Sequence, residues 1–223
     1  MKPIGPYFGE FLGHMQQAVH TGGSELAVGL ELFSRTAGSR AKTVLETGRY
    51  RGFSGLAIAG GLRLLDDGWQ DPDTFRGRPD VDYAQHEATV DDRILYSVDP
   101  LVDPAADELW AKAGVSRYIK RYDCKSADVP LDELRPLDGV FVDGDHSLEG
   151  CQADVDKFLN ILKPGGWMVL HDYFGWHHAD GRNGSPIAEC VHRMRERTPR
   201  CIIVDTGYPS FAVLIKPNPR TGV

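Results

Sequence analysis

Apolar residues recur along this chain with two different spacings. Short apolar runs, of the length typical of buried strands, occur at residues 43–45, 94–98, 140–142 and 167–170. Segments with apolar residues at helical spacing separate these runs, most clearly at residues 56–62 and 155–162. Strands that alternate with helices predict βαβ units and a parallel sheet. The last two apolar runs, at 201–204 and 211–215, flank a turn-rich segment and predict an antiparallel hairpin at the C-terminal end.

Residues 1–40 are predicted to form a helical segment that packs on the core of a single domain spanning residues 41–223. The apolar stripe of the first helix consists of Phe8, Phe11, Leu12 and Met15. The second helix is expected to run through Leu26, Val28, Leu30, Leu32 and Phe33 and to end near Gly38. We expect both stripes to pack against the sheet. A lid or a dimer surface, and hence a homo-oligomer, is the alternative.

The composition of the 223 residues favours one folded, cytoplasmic domain. Apolar residues make up 41% of the chain, which is ample for a sizeable core. A net charge of −7 and a pI of about 5.6 argue against nucleic acid or an anionic membrane as a partner. No apolar stretch approaches the ~18 residues of a membrane span, and no signal-peptide segment opens the chain. The four cysteines show no CxxC spacing, which predicts reduced thiols.

The first predicted strand leads into a glycine-containing turn at residues 46–52. Gly48 and Gly52 would let a cofactor approach the backbone, and the helix that follows offers free N–H groups at its N-terminus. The Ser54 hydroxyl could reach an anionic group held there. The spacing departs from the dinucleotide pattern G-x-G-x-x-G, and Glu46 would repel a pyrophosphate but attract an ammonium group. The turn therefore predicts an amino-acid-like zwitterion rather than NAD.

Polar residues also follow the next two predicted strands. Asp99 comes directly after residues 94–98, where a carboxylate can accept both hydroxyls of a ribose. A further strand over residues 118–122 leads to Asp123 and Ser126, which could meet an adenine edge.

The most informative stretch is residues 140–173, where two strands flank one helix. The first strand ends in Asp143-Gly144-Asp145-His146 and the second in His171-Asp172-Tyr173. Ser147 is placed to cap the helix, and Pro164-Gly165-Gly166 to end it. In a right-handed βαβ unit both acidic clusters lie at the same edge of the sheet, which is where ligands bind in such sheets. The polar segments 66–93 and 174–184 are expected to contribute to substrate selection.

Three motifs together resemble class I S-adenosylmethionine-dependent O-methyltransferases. They are VLETGRYRGFS at residues 44–54, YSVDP at residues 96–100, and the stretch from FVDGDHSLEG to KPGGWMVLHDY at residues 141–173. Within that class the chain is most similar to a group that includes natural-product sugar O-methyltransferases of the macrolide and aminocoumarin types and related cephalosporin-hydroxylase-like proteins. The resemblance covers roughly residues 40–215. It implies a Rossmann-like, seven-stranded, mostly parallel sheet with a C-terminal antiparallel hairpin and helices on both faces.

The resemblance also implies roles for individual residues. The cofactor-binding positions would be Glu46, Gly48, Tyr50, Gly52, Ser54, Asp99, Asp123, Ser126 and Asp143. The metal-binding positions would be Asp143, His171 and Asp172. Family members place the general base at the position of either Asp145 or His146, and both remain candidates. His171 departs from the oxygen ligands usual at its position, and an imidazole there favours a softer divalent ion than Mg²⁺.

The function implied is metal-assisted O-methylation of a small molecule, such as a sugar of a secondary metabolite. S-adenosylmethionine would be the cofactor, with Mg²⁺ the expected metal. A divalent ion would lower the pKa of the acceptor hydroxyl, and a neighbouring base would take its proton. A divergent member with hydroxylase-like chemistry and a non-catalytic S-adenosylmethionine-binding protein are the alternatives.

Overall fold

The structure is a computed structural model that describes residues 4–20, 26–66, 92–173, 185–197, 202–205 and 211–217. Most of the 66–93 insertion and the whole 174–184 loop lie outside the described residues.

The described strands form one seven-stranded sheet in the order β3-β2-β1-β4-β5-β7-β6. The strands are β1 Thr43–Thr47, β2 Ile94–Val98, β3 Ile119–Tyr122, β4 Leu137–Val142, β5 Leu162–His171, β6 Ile202–Asp205 and β7 Phe211–Ile215. Strands β1 to β5 pair in parallel, whereas β7 runs antiparallel to both β5 and β6. The predicted fold class, with its terminal hairpin, is confirmed. The strand order reverses between β1 and β4, which is where such sheets bind ligands.

Helices cover both faces of this sheet. They are α1 Ile4–His20, α2 Leu26–Gly38, α3 Phe53–Asp66, α4 Pro104–Lys112, α5 Leu148–Ile161 and α6 Pro186–Arg197. The core on one face joins the sheet to α1 through α4 and contains Phe11, Val28, Leu56, Trp110 and Phe141. The core on the other face joins the sheet to α5 and α6 and contains Val155, Phe158, Met168, Cys190 and Val191. Side chains of α1 and α2, among them Phe11 and Val28, therefore form part of the first of these cores. None of the described helices is long and apolar enough to cross a membrane.

The buried face of α2 is narrower than the sequence predicts. Val28 and Leu32 are fully buried, but Leu26 and Leu30 are each 37% exposed. The two pairs are offset by two residues, which places them on opposite sides of a helix with 3.6 residues per turn. Gly29 lies on the buried face, where an added Cβ would meet the Met15 side chain at 2.4 Å.

The predicted boundary between α5 and β5 is also wrong. The helix ends at Ile161, before Pro164, and β5 already begins at Leu162. Leu162 has an extended backbone (φ −68, ψ 130) and pairs with Leu137 of β4. The glycines that follow lie inside the strand, where Gly165 donates its N–H to the carbonyl of Lys216 at 2.8 Å. Pairing with two neighbouring strands outweighs the local preference of the Pro-Gly-Gly sequence for a turn.

Candidate functional site

The turn between β1 and α3 lies against the end of β4. Gly48 has a φ of +83, and a Cβ there would lie 1.9 Å from the carbonyl oxygen of Asp143. Only glycine permits both this backbone conformation and this approach. Gly52 has the same φ, but an added Cβ would meet Trp110 and Ala106 of α4. The absence of a side chain at Gly52 therefore permits the close approach of α4, and the cofactor contact predicted for Gly52 stays a prediction.

Glu46 is buried beneath this turn. It has no exposed surface, and its carboxylate accepts hydrogen bonds from the Ser54 hydroxyl at 2.7 Å and the Ser97 hydroxyl at 2.6 Å. Burial raises the pKa of Glu46 to about 7. Glu46 lines neither of the two cavities at this edge of the sheet, whereas Ser54 lines one of them while donating its hydroxyl to Glu46. The ammonium contact predicted for Glu46 and the anion contact predicted for Ser54 stay predictions.

Asp99 follows β2, and its carboxylate faces the end of the sheet. One oxygen accepts the N–H of Tyr50 at 2.9 Å and the other the N–H of Leu101 at 2.7 Å. Tyr50 has a φ of +43 and a half-exposed side chain. Each carboxylate oxygen has capacity for a further hydrogen bond, so Asp99 can still accept donors from a ligand.

A buried arginine is the main feature of the site that the sequence analysis missed. The side chain of Arg49 has no exposed surface and donates hydrogen bonds to the carbonyls of Ser97, Asp99 and Leu101 at 3.2–3.3 Å. It also forms an ion pair with Asp123 at 2.7 Å. A lone arginine in a glycine turn gives no sequence signal of burial, because its acceptors lie some fifty residues away or more.

Asp123 faces two arginines, and the adenine contact predicted for it stays a prediction. It pairs with Arg49 and Arg121, and it lines neither of the two cavities at this edge of the sheet. These arginines lower the pKa of its carboxyl against the opposing effect of burial.

Two cavities meet at the carboxyl ends of the parallel strands. The first measures about 420 Å³, and the residues lining it include Tyr50, Arg51, Phe53, Ser54, His146 and Asp172. The second measures about 580 Å³, and its lining includes Pro100, Lys125, Ser126, Ala127, Asp145 and Lys157. Both cavities are lined by Gly48, Asp99 and Gly144. Asp99 thus lies at the junction of two compartments, and Ser126 lies in the second, which is consistent with the position predicted for it.

Asp145 and His146 lie on different sides of this junction. Asp145 lines only the second cavity, and its carboxylate accepts the N–H of Ser147 at 2.9 Å. His146 lines only the first cavity, and its side chain is 53% exposed. The predicted cap of α5 is confirmed, since the Ser147 hydroxyl accepts the N–H of Gly150.

His146 lies between two carboxylates. Its Nε2 is 3.3 Å from Asp143 Oδ1, and its Nδ1 is 3.1 Å from Asp172 Oδ2. The hydrogen bond to Asp143 raises the pKa of His146 to about 9. Burial would raise the pKa of Asp143, but hydrogen bonds from His146 and His171 outweigh it and hold that pKa below its usual value. The predicted convergence of Asp143 and Asp172 is present.

Three of these side chains could hold a divalent cation. One ligand atom each from Asp143, His146 and Asp172 lies within 4.8 Å of the other two. The predicted set differs, because it contained His171 in place of His146. His171 is largely buried at the end of β5, where its Nδ1 lies 2.9 Å from Asp143 and its ring contacts Phe141. This position suits an imidazole that orients Asp143.

Comparisons with known proteins match this chain to one family model and to solved structures of similar fold. Residues 45–173, more than half of the chain, match a family model described as a methyltransferase domain. The O-methyltransferase TomG from Streptomyces achromogenes, involved in tomaymycin synthesis and solved in complex with SAM, matches with a TM-score of 0.61 and 19% identity. The match covers 94% of this chain and 90% of TomG. An O-methyltransferase from Bacillus cereus in complex with SAH matches with a TM-score of 0.62 and 14% identity, over 97% of this chain and 93% of that one.

A more limited match connects the chain to an uncharacterized protein of Acanthamoeba polyphaga mimivirus. The two are 29% identical over 89 residues, which cover 35% of this chain and 40% of the viral protein. The chain therefore matches well under two thirds of that relative's length. Because the two solved structures are only 19% and 14% identical to this chain, their similarity establishes the fold alone.

Proposed function

This protein belongs to the methyltransferase domain family, and on that basis we propose that it transfers a methyl group from S-adenosylmethionine to a hydroxyl of a small molecule. The observation that carries the proposal is the pair of cavities that meet at Asp99. This cofactor has an adenine and an amino acid on opposite sides of a ribose. It needs two compartments joined at a group that binds ribose hydroxyls, and a carboxylate at a strand end suits those hydroxyls.

The residues that line the two cavities support one placement of the two halves of the cofactor. The second cavity, with Ser126 and Ala127 on its wall, would take the adenine. The first cavity, at the Gly48 turn and the N-terminus of α3, would take the amino acid. Free N–H groups at a helix N-terminus bind a carboxylate, and Asp143 offers a partner for the ammonium group.

His146 is the better placed of the two candidate bases. It lies in the cavity that would hold the methionine half, whereas Asp145 lies on the adenine side and accepts a backbone N–H. Asp143 and Asp172 orient the imidazole of His146 and stabilise its protonated form. His146 would accept the proton that the acceptor hydroxyl loses when its imidazole is neutral, and the neutral form becomes the major one only above a pH of about 9.

Asp143 and Asp172, together with His146, have donors that fit a divalent cation. Such an ion would lower the pKa of the acceptor hydroxyl and fix its position. Two carboxylates with one imidazole suit Mn²⁺ or a softer divalent ion better than Mg²⁺, which prefers oxygen ligands. If one nitrogen of His146 binds the ion, that nitrogen cannot also take the proton. An ion held by Asp143 and Asp172 alone would let His146 act as the base.

The acceptor we propose is a hydroxyl of a sugar or another secondary metabolite. The motifs at residues 44–54 and 141–173 support this class. So does the similarity to TomG, which takes part in tomaymycin synthesis.

The test is incubation with S-adenosylmethionine and a panel of sugar, phenol and catechol acceptors, with and without EDTA. Mass spectrometry should detect an acceptor heavier by one methylene unit together with S-adenosylhomocysteine. Loss of product with EDTA would show that a divalent ion takes part in the reaction, and retention would show that proton transfer to His146 proceeds without one. Binding of S-adenosylhomocysteine without any methylated acceptor would favour a non-catalytic binding protein, and an oxygenated product would favour hydroxylase-like chemistry.

A further inference from the structure

Arg49 connects three segments at the carboxyl edge of the sheet. It belongs to the turn after β1, and it donates to carbonyls at the end of β2 and in the segment that follows. It also pairs with Asp123 after β3. A fully buried guanidinium is costly unless its N–H groups have acceptors. Here three carbonyls and one carboxylate accept from Nη1 and Nη2, while Nε has no hydrogen-bond partner among the described residues. The arrangement is therefore a fixed part of the fold and not a surface contact.

The acceptors of Arg49 are arranged around Asp99. They are the carbonyls of Ser97, two residues before Asp99, of Asp99 itself, and of Leu101, two residues after it. Because the carbonyls of every second residue point at the same guanidinium, the backbone of this segment curves around Arg49. The path of the main chain on both sides of Asp99 is thus set by one side chain.

The carboxylate of Asp99 depends on the same side chain. One of its oxygens accepts the N–H of Tyr50, the neighbour of Arg49 in the turn. The other accepts the N–H of Leu101, whose carbonyl Arg49 holds. Both hydrogen bonds that orient the carboxylate therefore come from residues that Arg49 fixes in place.

We propose that Arg49 is a positioning residue that holds the Asp99 carboxylate at the junction of the two cavities, in the orientation that binds the cofactor ribose. The inference rests on the proposed function, since it assumes that Asp99 binds ribose. It adds that Asp99 contributes to the affinity for the cofactor only while Arg49 holds the main chain of residues 97–101 in place.

The experiment is a double-mutant cycle on the affinity for S-adenosylhomocysteine, measured by titration calorimetry. Arg49→Met should weaken binding by about tenfold in the wild-type background, the scale of coupling between residues that share contacts. In an Asp99→Asn background the same substitution should change the affinity less than about twofold. A purely structural role predicts instead a similar loss in both backgrounds.

Two further variants make the result decisive. Arg49→Lys keeps the charge but lacks the planar fork that reaches several acceptors, so it should weaken binding by an intermediate factor. It also replaces Arg49→Met in the cycle if that variant does not fold. Arg93→Met is the matched control, because Arg93 is a largely buried arginine before β2, paired with Asp66 at 2.7 Å and with the Ala41 carbonyl. It should lower the melting temperature and leave the affinity unchanged.

Each outcome bears on a different claim. If the wild-type protein does not bind S-adenosylhomocysteine, the proposed function fails. If the wild type binds but Arg49→Met binds equally well, or loses the same factor with and without Asp99, the role of Arg49 is overturned. An Asp99→Asn variant with wild-type affinity would also overturn it, because there would then be no ribose contact to position.

Discussion

His146 is held between Asp143 and Asp172, and this geometry gives an imidazole two carboxylates to orient it. His146→Asn keeps a polar side chain of similar size but cannot take up a proton. We expect turnover to fall by roughly 100-fold or more, the usual contribution of a positioned base. The affinity for S-adenosylhomocysteine should change much less than turnover, because the proposed cofactor contacts are made by Asp99, Asp143 and the turn at Gly48. Full turnover in this variant would contradict the role of His146.

A suitable control is His192→Asn. His192 is an exposed residue of α6 that pairs with Glu196 and lines neither cavity. Its replacement should leave both turnover and affinity unchanged, so that any effect of His146→Asn reports on position and not on the loss of a histidine.

Glu46 makes the stability of the protein depend on pH. Its pKa is about 7 in the folded protein, against an ordinary value of 4.5 for a solvated glutamate, so the folded state binds more protons between these pH values. The free energy of unfolding should therefore fall as pH rises from about 4.5 to 7 and level off above that. Glu46→Gln removes this effect, so it should stabilise the protein relative to wild type above pH 7, by on the order of 3 kcal/mol at most.

Urea denaturation of both proteins from pH 5 to pH 8 measures the effect. The comparison cancels the contributions of all other titrating groups. A difference between wild type and Glu46→Gln that does not change with pH would show that the Glu46 carboxyl titrates normally.

The contacts of individual residues were harder to predict than their location. Residue type and strand position were enough to place Asp99, Asp143 and Asp172 at one edge, because parallel strands end together. Whether a side chain faces the cavity or is buried behind it depends on contacts with distant residues. Glu46 is covered by Ser54 and Ser97, and Asp123 is held by Arg49, and neither contact follows from local sequence.

The turn between β1 and α3 depends on the close approach of the β4 end. Gly48 and Gly165 have similar φ values, +83 and +79, but a Cβ at Gly165 would meet nothing within 4 Å. Gly165→Ala should therefore cost only the backbone strain of an alanine, about 1 kcal/mol. Gly48→Ala should cost the same strain and also force the Asp143 carbonyl away, so its loss of stability should be clearly larger.

Thermal denaturation and titration with S-adenosylhomocysteine separate the two effects. Gly48→Ala should also weaken binding, because Gly48 lines both cavities, whereas Gly165→Ala should bind normally. Equal stability loss in the two variants would mean that the turn tolerates a side chain.

At the level of elements, the spacing of apolar residues was enough to predict the order of helices and strands. It was not enough to predict the residues at which each element begins and ends. The αβ alternation and the terminal hairpin are confirmed, since seven described strands adopt the predicted topology. The start of β5 at Leu162 was missed because pairing with β4 decides it. The family match over residues 45–173 confirms the methyltransferase class that the three motifs indicate.

At the scale of the whole molecule, the described residues form two cavities that share Asp99, at the edge of a sheet whose strand order reverses there. Asp143 and Asp172 add a possible cation site beside the first cavity. If they hold a divalent ion, Mn²⁺ should raise the melting temperature of the wild-type protein, because a ligand that binds only the folded state stabilises it. The shift should vanish in Asp172→Asn. An equal shift in both proteins would place the ion elsewhere.

The central claim is that one cofactor spans both cavities with its ribose at Asp99. A crystal structure of the complex with S-adenosylhomocysteine measures this directly. We predict the adenine beside Ser126, the ribose hydroxyls on the Asp99 carboxylate, and the amino acid at the Gly48 turn. A ligand confined to one cavity, or a ribose that does not contact Asp99, would contradict the account.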